Sequence, residues 1–172
     1  MRVLGVDPGT VITGWGIIDC KGGKLRHVAS GVVRVGRGEL GGRLAAIYQG
    51  LAEIISRHTP TILSLERNFL ATNVQSAFRL GEARGVAMAV AAAADLTICE
   101  YTPATIKKSV VGHGRADKSQ VQAAVSRLLG LASVPREDEA DALAAAACHG
   151  FRDGFESKLA RALAAGAAGG RR

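Results

Sequence analysis

The hydrophobic pattern changes its period between residues 35 and 40, and this change restricts the possible folds more than any other feature. Before it, three β-rich stretches (3–6, 13–19 and 27–35) follow one another, separated by the turn-prone sequences DPG and KGGK. After it, apolar residues recur at helical spacing up to a stop at Pro60. Three consecutive strands followed by an amphipathic helix predict an antiparallel meander that opens a mixed sheet.

Strands and helices alternate in the rest of the chain. Segments 61–66 and 96–101 have the composition of strands, and helices are predicted over 76–94 and from Thr102, Asp117 and Glu137. Gln120 follows Asp117 by three residues, the spacing of a capping box. The predicted fold class is therefore α/β, with a mixed five-stranded sheet flanked by helices on both faces. We expect residues 1–154 to form one domain, and residues 155–172 to add a short helix and a flexible basic tail.

Composition limits the class of partner and the compartment. The chain has 22 Lys and Arg residues against 15 Asp and Glu, a formal net charge of +7, which suits nucleic acid or an anionic membrane surface. Its three cysteines lie far apart without CxxC spacing, which argues for a reducing compartment and against zinc or disulfides. The apolar run 86–94 is about half the ~20 residues of a membrane span. We expect a soluble cytoplasmic protein that binds no membrane.

The acidic residues are distributed unevenly for so basic a chain. Four of the 15 fall within five residues: Glu137, Asp138, Glu139 and Asp141. Asp7 ends the first predicted strand and Glu66 the fourth, so both emerge at one sheet edge if these strands are parallel neighbours. Asp138 and Asp141 share a helix face because they are three residues apart. A helix that approached this edge would bring four carboxylates together, an arrangement that suits two Mg²⁺ ions and phosphodiester hydrolysis.

Five segments, in order and at matching spacing, resemble the RuvC Holliday-junction resolvases of bacteria, which belong to the ribonuclease-H-like superfamily. They are GVDPGTVITGWGII (5–18), LERNF (65–69), FRLGEARGVA (78–87), VVGHGRADKSQVQ (110–122) and DEADALA (138–144). The resemblance spans residues 1 to about 150. It implies a ribonuclease-H-like fold and a Mg²⁺-dependent endonuclease that resolves four-way DNA junctions in homologous recombination and repair. Paired symmetric nicks would leave 5′-phosphate and 3′-hydroxyl ends.

The same resemblance implies roles for individual residues. The catalytic and metal-binding acids would be Asp7, Glu66, Asp138 and Asp141, holding two Mg²⁺ ions for which Mn²⁺ substitutes. Lys107 and Lys118 would lie near the scissile phosphate, and Phe69 would stack on bases at the opened junction centre.

Partners follow from the resemblance as well. They are junction DNA, a second copy of the chain and the RuvA–RuvB branch-migration complex. The helix at 76–94 would form the subunit contact, where Arg79, Glu82 and Arg84 could pair across a two-fold axis. The sequence departs from the family pattern at 68–76, which contains no Lys or Arg, and at Glu137 and Glu139, which add acids beside the site.

Each acidic candidate also has a simpler explanation. Asp before Pro-Gly is a favoured turn residue, and Glu66 could be solvated or paired with Arg67. Acids in the first turn of a helix complement its dipole by about 0.3–1 kcal/mol, and we adopt this explanation for Glu137 and Glu139. For Asp138 and Asp141 we favour metal ligation, because the pair precedes a smooth apolar helix face.

The simpler explanations of the DNA-binding candidates stay open. Lys107 could be an ordinary solvated lysine. Lys118 is a cation at a helix N-terminus, where the helix dipole disfavours it. A helix N-terminus also favours a bound phosphate, which would give the lysine a function there. Phe69 could be a buried contact under its loop. His113, between two glycines, could bind phosphate or act as an acid, or it could be a flexible-loop histidine.

Three other functions are compatible with parts of the pattern. DPGT also resembles the phosphate loop of actin-like sugar kinases and ATPases, but these need a second lobe that 172 residues cannot supply. A ribosomal-RNA-processing nuclease of the same superfamily also begins with a strand and an Asp-x-Gly motif, although such enzymes are usually shorter. A dimeric module could bind and open junctions through Phe69 and the lysines without cutting them.

Overall fold

The first three strands form the predicted antiparallel meander in a computed structural model, which describes residues 1–36, 38–67 and 74–169, with side chains as far as Phe155. They are β1 (Arg2–Asp7), β2 (Ile12–Lys21) and β3 (Lys24–Arg34). In the β1–β2 ladder, Asp7 lies opposite Gly14. The position across from Asp7 therefore carries no side chain, which leaves room at the end of β1.

Two further strands complete a mixed sheet with the order β3-β2-β1-β4-β5. They are β4 (Ile62–Glu66) and β5 (Thr97–Tyr101). β4 pairs in parallel with both β1 and β5. Because parallel neighbours end at the same edge, Asp7 and Glu66 emerge side by side. The predicted five-stranded mixed sheet is confirmed.

Helices cover both faces of this sheet, as predicted. They are α1 (Leu40–His58), α2 (Val74–Ala93), α3 (Pro103–Val111), α4 (Lys118–Leu129) and α5 (Glu137–Gly169). α1 and α2 pack on one face, and α3, α4 and α5 pack on the other. Among the helices that the structure describes, none combines the length and the apolar character needed to cross a bilayer.

Local sequence signals set the boundaries of α4. The Asp117 carboxylate accepts a hydrogen bond from the Gln120 backbone N–H at 2.8 Å, and the Gln120 side chain accepts one from the Asp117 N–H at 3.0 Å. This is the predicted capping box, which satisfies two donors at the helix start. At the other end, Gly130 adopts a left-handed conformation with φ 61°, which a glycine reaches without strain. The first and last residues of α4 are therefore determined by its own sequence.

α5 differs from the expected separate short helix after residue 154. It is one helix of 33 residues, continuous through Gly154. Alanine and other good helix formers predominate in residues 156–169, and an established helix propagates more easily than a new one nucleates. At Gly154 the helix passes close to the β2–β3 turn, where an added Cβ would lie 3.2 Å from the Gly23 Cα. The domain boundary at 154 stays a prediction, and residues 170–172 lie outside the described part.

Candidate active site

Three strand glycines let α5 contact the sheet backbone directly, and we refer to Gly5, Gly14 and Gly16 as the glycine track. A Cβ at Gly5 would overlap the Ala142 carbonyl oxygen, and one at Gly14 would overlap the Asp138 carbonyl oxygen. At Gly16 it would lie 2.5 Å from a methyl carbon of the Leu143 side chain. Backbone contact therefore sets the position of α5, and with it the position of the acids in its first turns.

A buried hydrogen bond joins α5 to the next strand of the sheet. The Ser64 hydroxyl, in the middle of β4, donates to the Ala145 carbonyl oxygen at 2.7 Å, and both residues are buried. Small side chains dominate this part of the helix, since five of the six residues at 142–147 are alanine and all six are at most 1% exposed. The signal for this contact is visible in TILSLE, where one hydroxyl interrupts an apolar strand.

The fold brings the four predicted acids to one edge of the sheet. Asp7 ends β1, Glu66 ends β4, and Asp138 and Asp141 lie in the first two turns of α5. The pKa of Asp7 is raised to about 8, first by burial and then by the carboxylates of Asp141, Glu66 and Asp138, while Lys118 opposes the shift. Burial also raises the pKa of Asp141. The four groups are close enough to interact electrostatically, although they come from three separate segments.

The acids share this edge without forming a closed cage. Within residues 1–36, 38–67 and 74–155, no three His, Cys, Asp or Glu side chains are arranged so that they could hold a metal ion as they stand. The donors that converge here are nevertheless carboxylate oxygens, which Mg²⁺ prefers. A divalent cation would also offset the repulsion that raises the pKa of Asp7. In donor chemistry and in charge, these residues fit a divalent cation.

Both predicted lysines lie beside the acids. Lys118, the first residue of α4, forms an ion pair with Glu137 and interacts electrostatically with Asp141 and Asp7. Lys107, half-buried on α3, lowers the pKa of Asp141. The edge therefore combines an acidic centre with two cations from neighbouring helices, an arrangement that can hold a phosphate beside bound cations.

The two extra acids at the start of α5 have other partners. Glu137 holds the Lys118 ammonium, which sequence reasoning did not predict. The Glu139 carboxylate accepts a hydrogen bond from the Arg136 backbone N–H at 3.3 Å, which is how an acid at the third helical position satisfies the helix start. Glu139 thus contacts its own helix terminus, as the dipole explanation predicts.

Sequence reasoning missed the residues that hold the turn after Asp7. The buried Thr13 hydroxyl donates to the Gly9 carbonyl oxygen at 2.9 Å. Arg43, on α1, donates from Nε to the Thr10 carbonyl oxygen at 2.7 Å. The signal in each case is a polar residue inside an otherwise apolar strand or helix face. Together they fix the DPGT turn from both sides.

Arg84, one of the residues proposed to pair across a two-fold axis, has partners within its own chain. On α2, its guanidinium donates to the Glu66 carbonyl oxygen and forms an ion pair with the Glu100 carboxylate. The Glu100 carboxylate also lies 3.8 Å from an Arg67 guanidinium nitrogen. Arg84 therefore links the end of β4 to β5 beside the four acids.

The two remaining candidates are Phe69 and His113. Phe69 lies outside the described residues, as does most of the segment 68–76 that lacks Lys and Arg. His113 is exposed in the loop between α3 and α4. The roles of both stay predictions.

Comparison with known proteins agrees with the sequence resemblance. The family described as crossover junction endodeoxyribonuclease RuvC matches residues 3–149. Proteins of that name from Alkalilimnicola ehrlichii and Thiobacillus denitrificans are 45% and 47% identical to the chain, over 94% and 96% of its length and 98% of theirs. A structure of T. thermophilus RuvC in complex with Holliday junction substrate superposes with a TM-score of 0.85 at 31% identity, covering 91% of this chain and 96% of that one. The chain therefore belongs to the RuvC family of crossover junction endodeoxyribonucleases.

Proposed function

We propose that this chain resolves four-way (Holliday) DNA junctions in homologous recombination and repair. Paired symmetric nicks would leave 5′-phosphate and 3′-hydroxyl ends. The observation that carries this proposal is the meeting of Asp7, Glu66, Asp138 and Asp141 at one sheet edge in a member of the RuvC family. The Holliday junction substrate bound to the T. thermophilus relative supports the class of substrate.

We propose that the four carboxylates hold two divalent cations, Mg²⁺ with Mn²⁺ as a substitute. Such ions supply an activated water and stabilise the leaving oxygen of a phosphodiester. The protein contributes the position of the acids, because the glycine track and the β1–β4 pairing hold them at one edge. All four carboxylates are half-buried, so bulk water screens the electrostatic interactions between them only in part.

The DNA strand would be held by cations around this centre. Lys107 and Lys118 lie beside the acids, where their positive charges favour a bound phosphate. The net charge of +7 supports attraction to the DNA backbone. We keep Phe69 as the stacking residue proposed from the resemblance, a contact worth about 1–3 kcal/mol per base.

We propose a homodimer, so that two sites can cut two opposed strands. The outer face of α2 supports this, because Val74 and Phe78 are 70% and 68% exposed beside the small Gly81 and Gly85. Light scattering should give twice the chain mass, and Phe78→Asp should lower it to one chain. A single-chain mass for the unchanged protein would refute the dimer.

Cleavage of synthetic four-way junctions tests the whole proposal. With Mg²⁺ or Mn²⁺, the protein should introduce paired nicks in two opposed strands and should leave a linear duplex of the same sequence intact. Asp7→Asn should lower the rate by at least about 10³-fold, because it removes a carboxylate from the acidic centre. Asp153→Asn is the matched control, since Asp153 is exposed in the middle of α5, away from the acids at its start.

The remaining outcomes separate the competing functions. Ca²⁺ should permit junction binding with poor cutting, because it is larger and less strict in its coordination geometry. Binding without cutting in Mg²⁺ and Mn²⁺ would favour a non-enzymatic junction-opening module. Faster cutting of RNA than of DNA junctions would favour the RNA-processing alternative.

A further inference from the structure

The four acids are held in place by different means. Asp7, the last residue of β1, pairs with Gly14 of β2, and Asp138 and Asp141 are placed by α5 on the glycine track. Glu66 is the last residue of β4, where the sheet pairing of that strand ends. Directly after Glu66 the Arg67 backbone N–H still donates to the Tyr101 carbonyl oxygen at 2.7 Å, and a side-chain contact on the Glu66 carbonyl group adds a second restraint at this strand end.

Arg84 contacts the end of β4 from the neighbouring helix. One guanidinium nitrogen donates to the Glu66 carbonyl oxygen, and the other terminal nitrogen pairs with the Glu100 carboxylate on β5. The guanidinium is planar and presents its donors in a fixed fork, so two partners determine its orientation. Glu66 lies opposite Tyr101 in the β4–β5 ladder, one residue after Glu100, so both partners belong to the same end of the sheet.

The environment of Arg84 is that of a buried contact. Its side chain is only 16% exposed, whereas those of Arg57 and Glu53, an ion pair on α1, are 68% and 69% exposed. Burial lowers the pKa of Arg84 and nearby Arg67 adds to this, while the Glu66 carboxylate opposes the shift. The guanidinium thus contacts the backbone of Glu66 and interacts with its carboxylate.

We propose that Arg84 is a positioning residue, which holds the end of β4 so that the Glu66 carboxylate faces Asp7, Asp138 and Asp141. This inference rests on the proposed function, because it requires Glu66 to be one of the metal-binding acids. Arg84 itself contacts neither the substrate nor the cations. Residues that orient metal ligands typically change metal affinity or activity by about 10–100-fold when they are replaced.

The main test compares Arg84→Gln with the unchanged protein in two measurements. The first is Mn²⁺ affinity by calorimetry without DNA, at a temperature where both proteins are fully folded; the second is the single-turnover rate on a four-way junction in saturating Mg²⁺. We expect at least one of them to fall by about 10–100-fold. Junction affinity in Ca²⁺ should stay within about threefold, because Arg84 is not a DNA contact in this proposal.

Two further variants separate positioning from general stability. Arg84→Lys retains a cation but loses the fork, so it should recover only part of the lost Mn²⁺ affinity. Arg57→Gln is the matched control, since it removes another arginine ion pair at an exposed position, and it should change neither measurement.

Each outcome decides the inference. A lower melting temperature for Arg84→Gln with unchanged Mn²⁺ affinity and rate would overturn it, because Arg84 would then be merely structural. If Arg84→Gln does not fold, Glu100→Gln takes its place, and unchanged Mn²⁺ affinity and rate in that variant would overturn the inference. If the unchanged protein fails to cut junctions, the proposed function fails, while the Mn²⁺ comparison still decides whether Arg84 positions Glu66.

Discussion

The two faces of the sheet are packed in different ways. On the face covered by α1 and α2, large aliphatic side chains such as Leu4, Ile47 and Leu51 interdigitate. On the face covered by α5, alanines of the helix lie against the glycine track, and backbone contacts backbone. Only the second face carries acids in the first turns of its helix.

The first kind of packing contributes mainly to the free energy of unfolding, and the second mainly fixes the position of α5 and its acids. Interdigitated Leu and Ile side chains bury a large apolar area, about 1.5–3 kcal/mol each, and they can adjust their rotamers when a neighbour changes. Backbone contact buries less area per residue but leaves little freedom in the height of α5 above the sheet. We therefore expect substitutions on the α1 and α2 face to change the free energy of unfolding, and substitutions on the α5 face to change cleavage.

Leu51→Ala should have the largest effect on stability. Leu51 is 1% exposed in the core under α1, and removing such a side chain costs about 2–5 kcal/mol. Urea unfolding should show this loss, while the cleavage rate per folded molecule should remain within about twofold. A large fall in that rate would show that the two faces are not independent.

Gly14→Ala should act mainly on the cleavage rate. The added Cβ would overlap the Asp138 carbonyl oxygen, so α5 must shift or tilt at its acidic end. A displacement of about 1 Å in a catalytic group can cost roughly 10²-fold in rate, which corresponds to about 2.7 kcal/mol of activation free energy. Single-turnover cleavage measures this loss. A rate equal to that of the unchanged protein would contradict the role of backbone contact.

The stability of the metal-free protein should depend on pH through Asp7. Its pKa is about 8 in the folded chain and about 3.8 in the unfolded chain, so the folded state retains a proton that the unfolded state has already released. Stability should therefore fall as pH rises from about 4 to about 8. We expect a loss on the order of 1–2 kcal/mol between about pH 6 and pH 8 in a chelator, measured by thermal unfolding.

Asp7→Asn provides the control for the pH experiment. It removes the titrating group, so the slope in this window should flatten and the variant should be more stable than the unchanged protein near pH 8. Added Mn²⁺ should stabilise the unchanged protein, most strongly at the high end of the window. An unchanged slope in Asp7→Asn would assign the pH dependence to other groups.

Gly42→Ala should have the smallest effect and serves as the comparison for Gly14→Ala. Gly42 lies in the first turn of α1, where an added Cβ would meet no atom within 4 Å. Alanine at such a position should stabilise the protein by about 0.4–1 kcal/mol, because the unfolded chain loses conformational freedom. Thermal unfolding should show a small rise with unchanged cleavage. A loss of stability would mean that glycine is needed there for another reason.

The sequence predicts the order of the helices and strands because the residues that begin and end them act locally. Pro60, the capping box at Asp117 and Gly130 each act within a few residues, and the structure confirms the boundaries that they predict. The edge shared by Asp7 and Glu66 follows from a single assumption, that β1 and β4 are parallel neighbours.

Contacts between distant segments could not be predicted in the same way. The ion pair of Lys118 with Glu137 and the hydrogen bond of Arg84 to Glu66 depend on how helices sit on the sheet, which no local pattern specifies. We expected a separate short helix after residue 154, whereas the helix that begins at Glu137 continues through Gly154.

The glycine track also limits how a site of this kind can diverge. At Gly5 and Gly14, where an added Cβ would overlap main-chain atoms of α5, a larger residue cannot be accommodated by a compensating smaller side chain opposite, as happens between ordinary side chains. Evolutionary change in the spacing of the acids is then confined to the turn before α5 and to the acids themselves. Natural variation in cutting preference should consequently accumulate in the loops around the four acids, while α5 changes slowly.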